Sequence, residues 1–248
     1  MSKRYGQQGC QKVILFNDFE RLVKSDDPQE LELGILEFGR FIDSGEQSVI
    51  DVALLKLTDL FVSVSSDFRL LIVAQIEMYH TELNRCHLVA AQVLRKLTYV
   101  WESNDVLGKV TVIKIFGLLP ELVKNSSESC YRVIISLDSS LVLLRNAALN
   151  ASMSLSASSA QFVEMYIAKL SLLRITSDEF LYPLQYAYAA PNIFTQALSI
   201  LLQAAPHSQR AQEILYMNAL RVELAAKCVI ENNILPQDQV ASLKNLFQ

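Results

Sequence analysis

Glycine and proline are scarce, at seven and six in 248 residues, while 51% of the sequence is hydrophobic. So few breakers leave long stretches rich in Leu, Ala, Ile, Val, Glu, Gln and Lys, which points to helix. It also points away from mixed α/β enzymes, which need more glycine. A chain this long and this apolar has ample material for a continuous core and should fold.

Histidine is scarcer still. His80, His87 and His207 have no spacing that brings ligands together, and Cys86 and His87, as neighbours on a helix, point apart. No metal and no cofactor are expected. The four cysteines, Cys10, Cys86, Cys130 and Cys228, form no C-x-x-C pair, and Met1-Ser2-Lys3-Arg4-Tyr5 carries no apolar signal core. The expectation is a reduced, intracellular protein whose cysteines act as small buried hydrophobes.

The sequence also lacks the loops of covalent and phosphate chemistry. There is no G-x-S-x-G elbow, and Gly108-Lys109 stands alone without the earlier glycine or the following Ser or Thr of a P-loop. The paired carboxylates Asp26-Asp27 and Asp178-Glu179 fall at helix starts, where negative charge favours the exposed amides, so capping explains them better than acid–base catalysis. No catalytic residue, no enzyme activity and no small-molecule substrate are therefore expected.

Basic charge is thin as well. With a formal net charge of −4 and a pI near 5.5, the chain has no Lys/Arg surface suited to phosphates, so direct sequence-specific nucleic-acid binding is not expected. The strongest basic group, Arg95-Lys96, reads as a solvated helix face. From Phe180 to Gln209 charge is missing altogether. A membrane span there is not expected, because Pro183, Pro191 and Pro206 divide it and Gln185, Asn192, Gln196 and Gln203 would be costly in lipid.

What recurs is a polar turn followed by an apolar helix. Ser25-Asp26-Asp27-Pro28, Ser65-Ser66-Asp67, Ser103-Asn104-Asp105, Leu137-Asp138-Ser139-Ser140 and Thr176-Ser177-Asp178 each offer side chains that accept from the first amides of a helix. The Asp residues at 27, 67, 105, 138 and 178 recur at intervals of about 33–40 residues, close to the length of a two-helix repeat. The pairs expected are 13–24 with 28–42, 47–63 with 67–80, 87–102 with 105–119, 126–137 with 139–154, 159–174 with 178–189, and 192–204 with 207–231.

Leu88, Ala91, Leu94, Leu97 and Trp101 suggest one apolar stripe. The two stripes Val106-Val110-Ile113-Phe116 and Val112-Ile115-Leu119-Leu122 suggest a helix covered on several sides. Pro183 should kink or shorten 178–189. The Ala- and Ser-rich stretch from Asn146 to Val163 favours close helix packing. The fold expected is all-α, a HEAT/armadillo-like α-solenoid of about six helix pairs, forming a single domain over 1–248 with residues 1–12 flexible and 236–248 as a capping helix. Aromatic residues crowd the uncharged segment, and Tyr182, Tyr186, Tyr188 and Phe194 are candidates for partner docking as well as for core.

Four stretches carry a resemblance. Val52-Ala-Leu-Leu-Lys-Leu-Thr-Asp-Leu-Phe61 with Asp67-Phe-Arg-Leu-Leu71, and Ser103-Asn-Asp-Val-Leu-Gly-Lys-Val-Thr-Val-Ile-Lys-Ile-Phe-Gly-Leu-Leu119 with Ile135-Ser-Leu-Asp-Ser139, resemble the amino-terminal HEAT-repeat region of Integrator complex subunit 7. The similarity runs over roughly residues 30–170 in one order. It implies a nuclear, non-enzymatic subunit of an assembly that processes small nuclear RNA ends and attenuates transcription by RNA polymerase II. Its partners would be other protein subunits of that complex. A cytoplasmic α-solenoid adaptor of membrane coats or transport is the alternative, and localisation separates the two.

Overall fold

Residues 47–63 contain no glycine or proline and place Leu, Ile, Val and Phe at three- and four-residue steps, the condition for a helix that buries one side. They form one 17-residue helix in the computed structural model, which describes residues 17–103, 105–173 and 178–247. The lead at 1–12, the start of the expected helix 13–24, Cys10, Asn104, the Thr176-Ser177 part of one expected turn, and Gln248 lie outside the described residues.

The chain divides into two compact units, Met1–Leu122 and Val123–Gln248. In the first, a helix at 17–23 (α1) is followed by α2 (Pro28–Leu36), α3 (Gly39–Asp43), α4 (Gln47–Ser63), α5 (Ser66–Met78) and α6 (His80–Leu83). A 3₁₀ turn at His87–Val89 then leads into α7 (Ala90–Glu102), α8 (Val106–Leu118) and the short α9 (Pro120–Val123). Helix α4 packs on α5 and α7 on α8, but each also packs one pair further along: α2 on α5, α5 on α8 and α4 on α7. That succession is how a repeat hides an apolar side it cannot cover alone.

The second unit repeats the scheme with α10 (Ser127–Ser136), α11 (Val142–Ser158), α12 (Ala160–Leu170), a 3₁₀ helix at Asp178–Ala189, a second at Pro191–Ile193, α13 (Phe194–Ala204), α14 (Gln209–Ala219), α15 (Glu223–Asn232) and α16 (Gln237–Leu246). Here α10 packs on α12, and α11 packs on the long 3₁₀ helix, which in turn packs on α14. No strand occurs among the described residues, and the fold is all-α and solenoid-like.

The polar cross-links carry the same period. In the first unit Ser66 reaches Asp105 across 39 residues, Arg69 reaches Asp105 across 36, Lys96 donates to the Leu55 carbonyl across 41, and the Asn84 amide donates to the Leu118 carbonyl across 34. In the second, Ser159 donates to the Lys124 carbonyl across 35, Gln161 to Ser127 across 34, and Asn218 to the Leu184 carbonyl across 34. Each bond joins one repeat to the next. Lys96 also pairs with Asp59 at 2.6 Å, so half of the Arg95-Lys96 pair ties repeats together and only Arg95 stands in solvent.

Of the expected turns, that at Asp27 caps its helix with a side chain, whereas Ser65 before α5 makes no side-chain cap and α11 begins at Val142 without one. Asp27 accepts from the Gln29 amide at 2.9 Å, and Ser126, Ser159 and Ser208 cap α10, α12 and α14. Asp105 precedes α8 but makes no side-chain cap; its carboxylate instead takes the Arg69 guanidinium. Helix α8 buries Val110, Val112, Ile113, Ile115 and Phe116, so it is covered on more than one side. The Ala- and Ser-rich stretch packs closely, with Ala147, Ala148, Ala151, Ser152 and Ser156 all buried in α11.

Four expectations need correction. The helix expected at 28–42 breaks after Leu36 and resumes at Gly39, which lies so close to the Tyr79 hydroxyl that a Cβ there would stand 2.2 Å from it. The helix expected at 207–231 splits into α14 and α15 with no Gly or Pro at the break; each half buries its own face, so packing overrides propensity. The stripe on α7 is Val93, Leu97 and Val100, continuing from Val89, whereas Leu88 is 89% exposed. Residues 178–189 form a 3₁₀ helix rather than a kinked α-helix.

Runs of 3₁₀ longer than three or four residues are uncommon. This one has twelve residues and contains Pro183, whose ring would clash with the fourth carbonyl back in an α-helix. Side chains from its neighbours compensate. The Tyr166 hydroxyl, on α12, donates to the Phe180 carbonyl at 2.8 Å, and Asn218, on α14, donates to the Leu184 carbonyl at 3.1 Å.

A candidate partner-docking surface

The 3₁₀ helix Asp178–Ala189 packs against α11, α12, α13 and α14 together, so its outward side chains sit where several repeats meet. Leu181, Pro183, Leu184 and Ala187 point inward and are buried. Tyr182 and Tyr186 are half-buried, and Tyr188 is 36% exposed. Phe194, the fourth residue singled out from the sequence, is 5% exposed at the start of α13; its ring belongs to the core and is not available to a partner.

Two of the tyrosines are held by arginines from α14 and the turn after it. Arg210 stacks over Tyr182 at 4.3 Å, donates to its hydroxyl at 2.7 Å, and pairs with Glu213 at 2.6 Å. Arg221 lies over Tyr188 at 4.4 Å, with both side chains exposed. Such stacking fixes ring orientation and presents a planar cation beside each aromatic face. Sequence reasoning found the tyrosines but missed the arginines, because 28 residues separate Arg210 from Tyr182 and only the repeat stacking brings them together.

Beside Tyr182 an open groove of about 310 Å³ is lined by Asn146, Leu149, Asn150 and Met153 of α11, with Glu179 and Tyr182. Asn146 and Asn150 are exposed. The groove holds amides, a carboxylate, a thioether and an aromatic ring, a lining suited to non-covalent recognition.

Cys86 and Cys130 are buried as expected, whereas Cys228 is half-buried and His80 and His87 are exposed. Burial pushes the Cys86 thiol up to about 12, helped by its hydrogen bond with Asp51, and pushes the Cys130 thiol up to about 11. Gln47 donates to Asp51 at 2.9 Å and lies 3.4 Å from the Cys86 sulfur, closing a small polar network inside the first unit. Thiols held protonated in this way are poor nucleophiles. The Tyr166 hydroxyl is likewise raised by burial. Glu20 is lowered by its hydrogen bond and charge pairing with Lys56, an ordinary surface effect. Among the described residues no three His, Cys, Asp or Glu side chains converge on a metal site, and no helix is long and apolar enough to cross a membrane.

Gly108, the glycine of the Gly108-Lys109 dipeptide, has a packing role. A Cβ there would meet Val100 at 2.9 Å and the Asp105 carboxylate at 2.8 Å, so the glycine permits the close approach of α7 and α8.

The family model described as Integrator complex subunit 7, N-terminal, matches residues 18–177. The chain belongs to this family. The match reaches further at both ends than the similarity legible from short motifs, and it takes in the whole of α2 to α12. The motif residues of the Integrator subunit 7 resemblance fall mainly on α4, α5 and α8, the helices whose stacking defines the first unit. Asn146, Asn150 and Met153 lie within the matched span, while the tyrosines and their arginines follow it. No individual curated protein matches the chain.

Proposed function

We propose that the chain is a non-catalytic scaffold built from HEAT/armadillo-type helix pairs, acting as a protein subunit of an Integrator-type complex in the nucleus. Its work is to hold other subunits during small nuclear RNA 3′-end processing or RNA polymerase II transcription. The observation that carries the reading is the family match over residues 18–177, joined to helix pairs that leave many side chains facing solvent. The buried state of Cys86, Cys130 and Tyr166 favours a structural role for these groups. Tyr182, Tyr186 and Tyr188, with Arg210 and Arg221, form the surface on which a protein partner docks.

Affinity purification of the tagged full chain from nuclear and cytoplasmic extracts tests this. The expected result is recovery of Integrator subunits from the nuclear fraction, with a fluorescent fusion concentrated in the nucleus. Recovery of coat or transport components from the cytoplasm, with no Integrator subunit, would refute it.

A further inference from the structure

We propose that the groove between α11 and the long 3₁₀ helix receives an extended peptide segment of a partner protein and grips it by the main chain. The inference deepens the scaffold reading at the same surface and rests on it only in taking the ligand to be protein.

Asn146 and Asn150 are exposed on one face of α11, and neither side-chain amide has a hydrogen-bond partner among the described residues. Each amide carries an acceptor and two donors, enough to bond a peptide carbonyl and a peptide N–H together. Four residues of α-helix advance about 6 Å along the axis. An extended chain presents the same edge every second residue, about 6.6–6.8 Å. Two amides one turn apart therefore meet two successive outward-facing residues of a strand without either chain being distorted.

The rest of the lining agrees with such a ligand. Leu149 and Met153 form an apolar floor, and a thioether adapts to side chains of different shape. Tyr182 forms a wall already fixed by Arg210 at 4.3 Å and by the 2.7 Å hydrogen bond to its hydroxyl, so little freedom is lost on binding.

Other occupants fit less well. A helical ligand has satisfied its main-chain groups internally and would leave the amides unused. Single-stranded nucleic acid needs a cationic track, whereas Arg210 is paired with Glu213 and Glu179 contributes a carboxylate to the lining.

A phage-displayed library of random linear peptides, panned on the full chain, supplies the probe. Enriched peptides are synthesised and their affinity measured by fluorescence anisotropy against the wild type, Asn146→Leu and Asn150→Leu. Copies of the peptides N-methylated at alternate residues are measured alongside. Each Leu variant should weaken binding about tenfold or more, as should N-methylation in one of the two registers, because a polar partner is left unmade. Melting temperatures should stay unchanged, since both positions are exposed.

The proposal is overturned if no linear peptide is enriched, if the variants and N-methylated peptides bind like the originals, or if oligouridylate binds and the Leu variants abolish that binding instead. Subunit recovery by the wild-type chain is a separate readout. Recovery with no peptide binding sinks the groove assignment alone; peptide binding with no recovery sinks the assignment to the Integrator-type complex.

Discussion

Replacing Arg69 by Met should cost far more than a surface charge does. Its Nε donates to the Phe61 carbonyl at 2.9 Å and its Nη2 to the Val62 carbonyl at 3.3 Å, two groups in the last turn of α4 that have no partner within the helix. Its Nη1 meets Asp105, at the start of α8 and 36 residues away, while the guanidinium lies 5.6 Å from the centre of the Phe61 ring. The Arg69 side chain is 13% exposed and that of Asp105 30%, so the pair is screened much less than a surface ion pair. Met retains the packing of the stem but removes both carbonyl bonds and the charge. Losing one partner of a mostly buried, hydrogen-bonded pair costs about 3–5 kcal/mol, and partial rehydration of Asp105 reduces this to about 2–4 kcal/mol. For a chain of this length each kcal/mol lowers Tm by about 2–4 °C. Differential scanning calorimetry should thus give a drop of roughly 5–15 °C for Arg69→Met, and a double-mutant cycle with Asp105→Asn a coupling of about 1–2 kcal/mol. A loss under about 0.5 kcal/mol, the range of neutral surface changes, or no coupling, would refute the view that this arginine ties successive repeats together.

Three further expectations follow from the packing. Gly34→Ala places a Cβ 2.9 Å from the Leu22 Cβ and 3.2 Å from the Val23 backbone nitrogen, so α1 and α2 must separate; urea unfolding should register a loss of about 1–3 kcal/mol. Tyr166→Phe removes the hydroxyl that anchors Phe180, which should cost about 1–2 kcal/mol and speed amide hydrogen exchange across 178–189 before other segments. Alkaline pH should destabilise the fold: the buried thiols of Cys86 and Cys130 are raised from an ordinary 9.0 to about 12 and about 11. Their contribution is complete below pH 9.0, where both states keep the proton, and fades as the unfolded chain ionises between there and about 11–12. Urea midpoints measured across that range should fall less steeply for a Cys86→Ala, Cys130→Ala variant.

The helices were legible where burial and local propensity agree. Gln47–Ser63 appears with the bounds expected from its periodicity, and Ser and Asp side chains supply what the first amides lack at Asp27, Ser126, Ser159 and Ser208, whereas Ser65 and Asp105 stand before helices without capping them. The sequence could not reveal breaks made by packing. Nothing at 220–222 distinguishes a helix end from a helix interior, and the split into α14 and α15 arises from two separate buried faces. Apolar spacing alone does not reveal the stripe on α7, because Leu88 is large and apolar yet falls in a 3₁₀ turn outside the helical register. Pro183 announced a disturbance but not its form: the 3₁₀ helix depends on Tyr166 and Asn218, whose partners only the fold brings near.

The candidate surface was half legible. Tyr182, Tyr186 and Tyr188 stood out by composition, but whether an aromatic faces the core or the solvent depends on the register, and Phe194 turned inward. Arg210, Arg221, Asn146 and Asn150 gave no local signal. They matter through positions set by repeat stacking, a relation spread over about thirty residues of sequence.

Zero-length carbodiimide coupling of the native chain, read by mass spectrometry, tests most directly whether helix pairs stack in this succession. The pairing predicts amide links between Lys56 and Glu20, Lys96 and Asp59, and Lys169 and Asp138, each joining one repeat to the next. Links spread over unrelated separations, with these three absent, would contradict the stack.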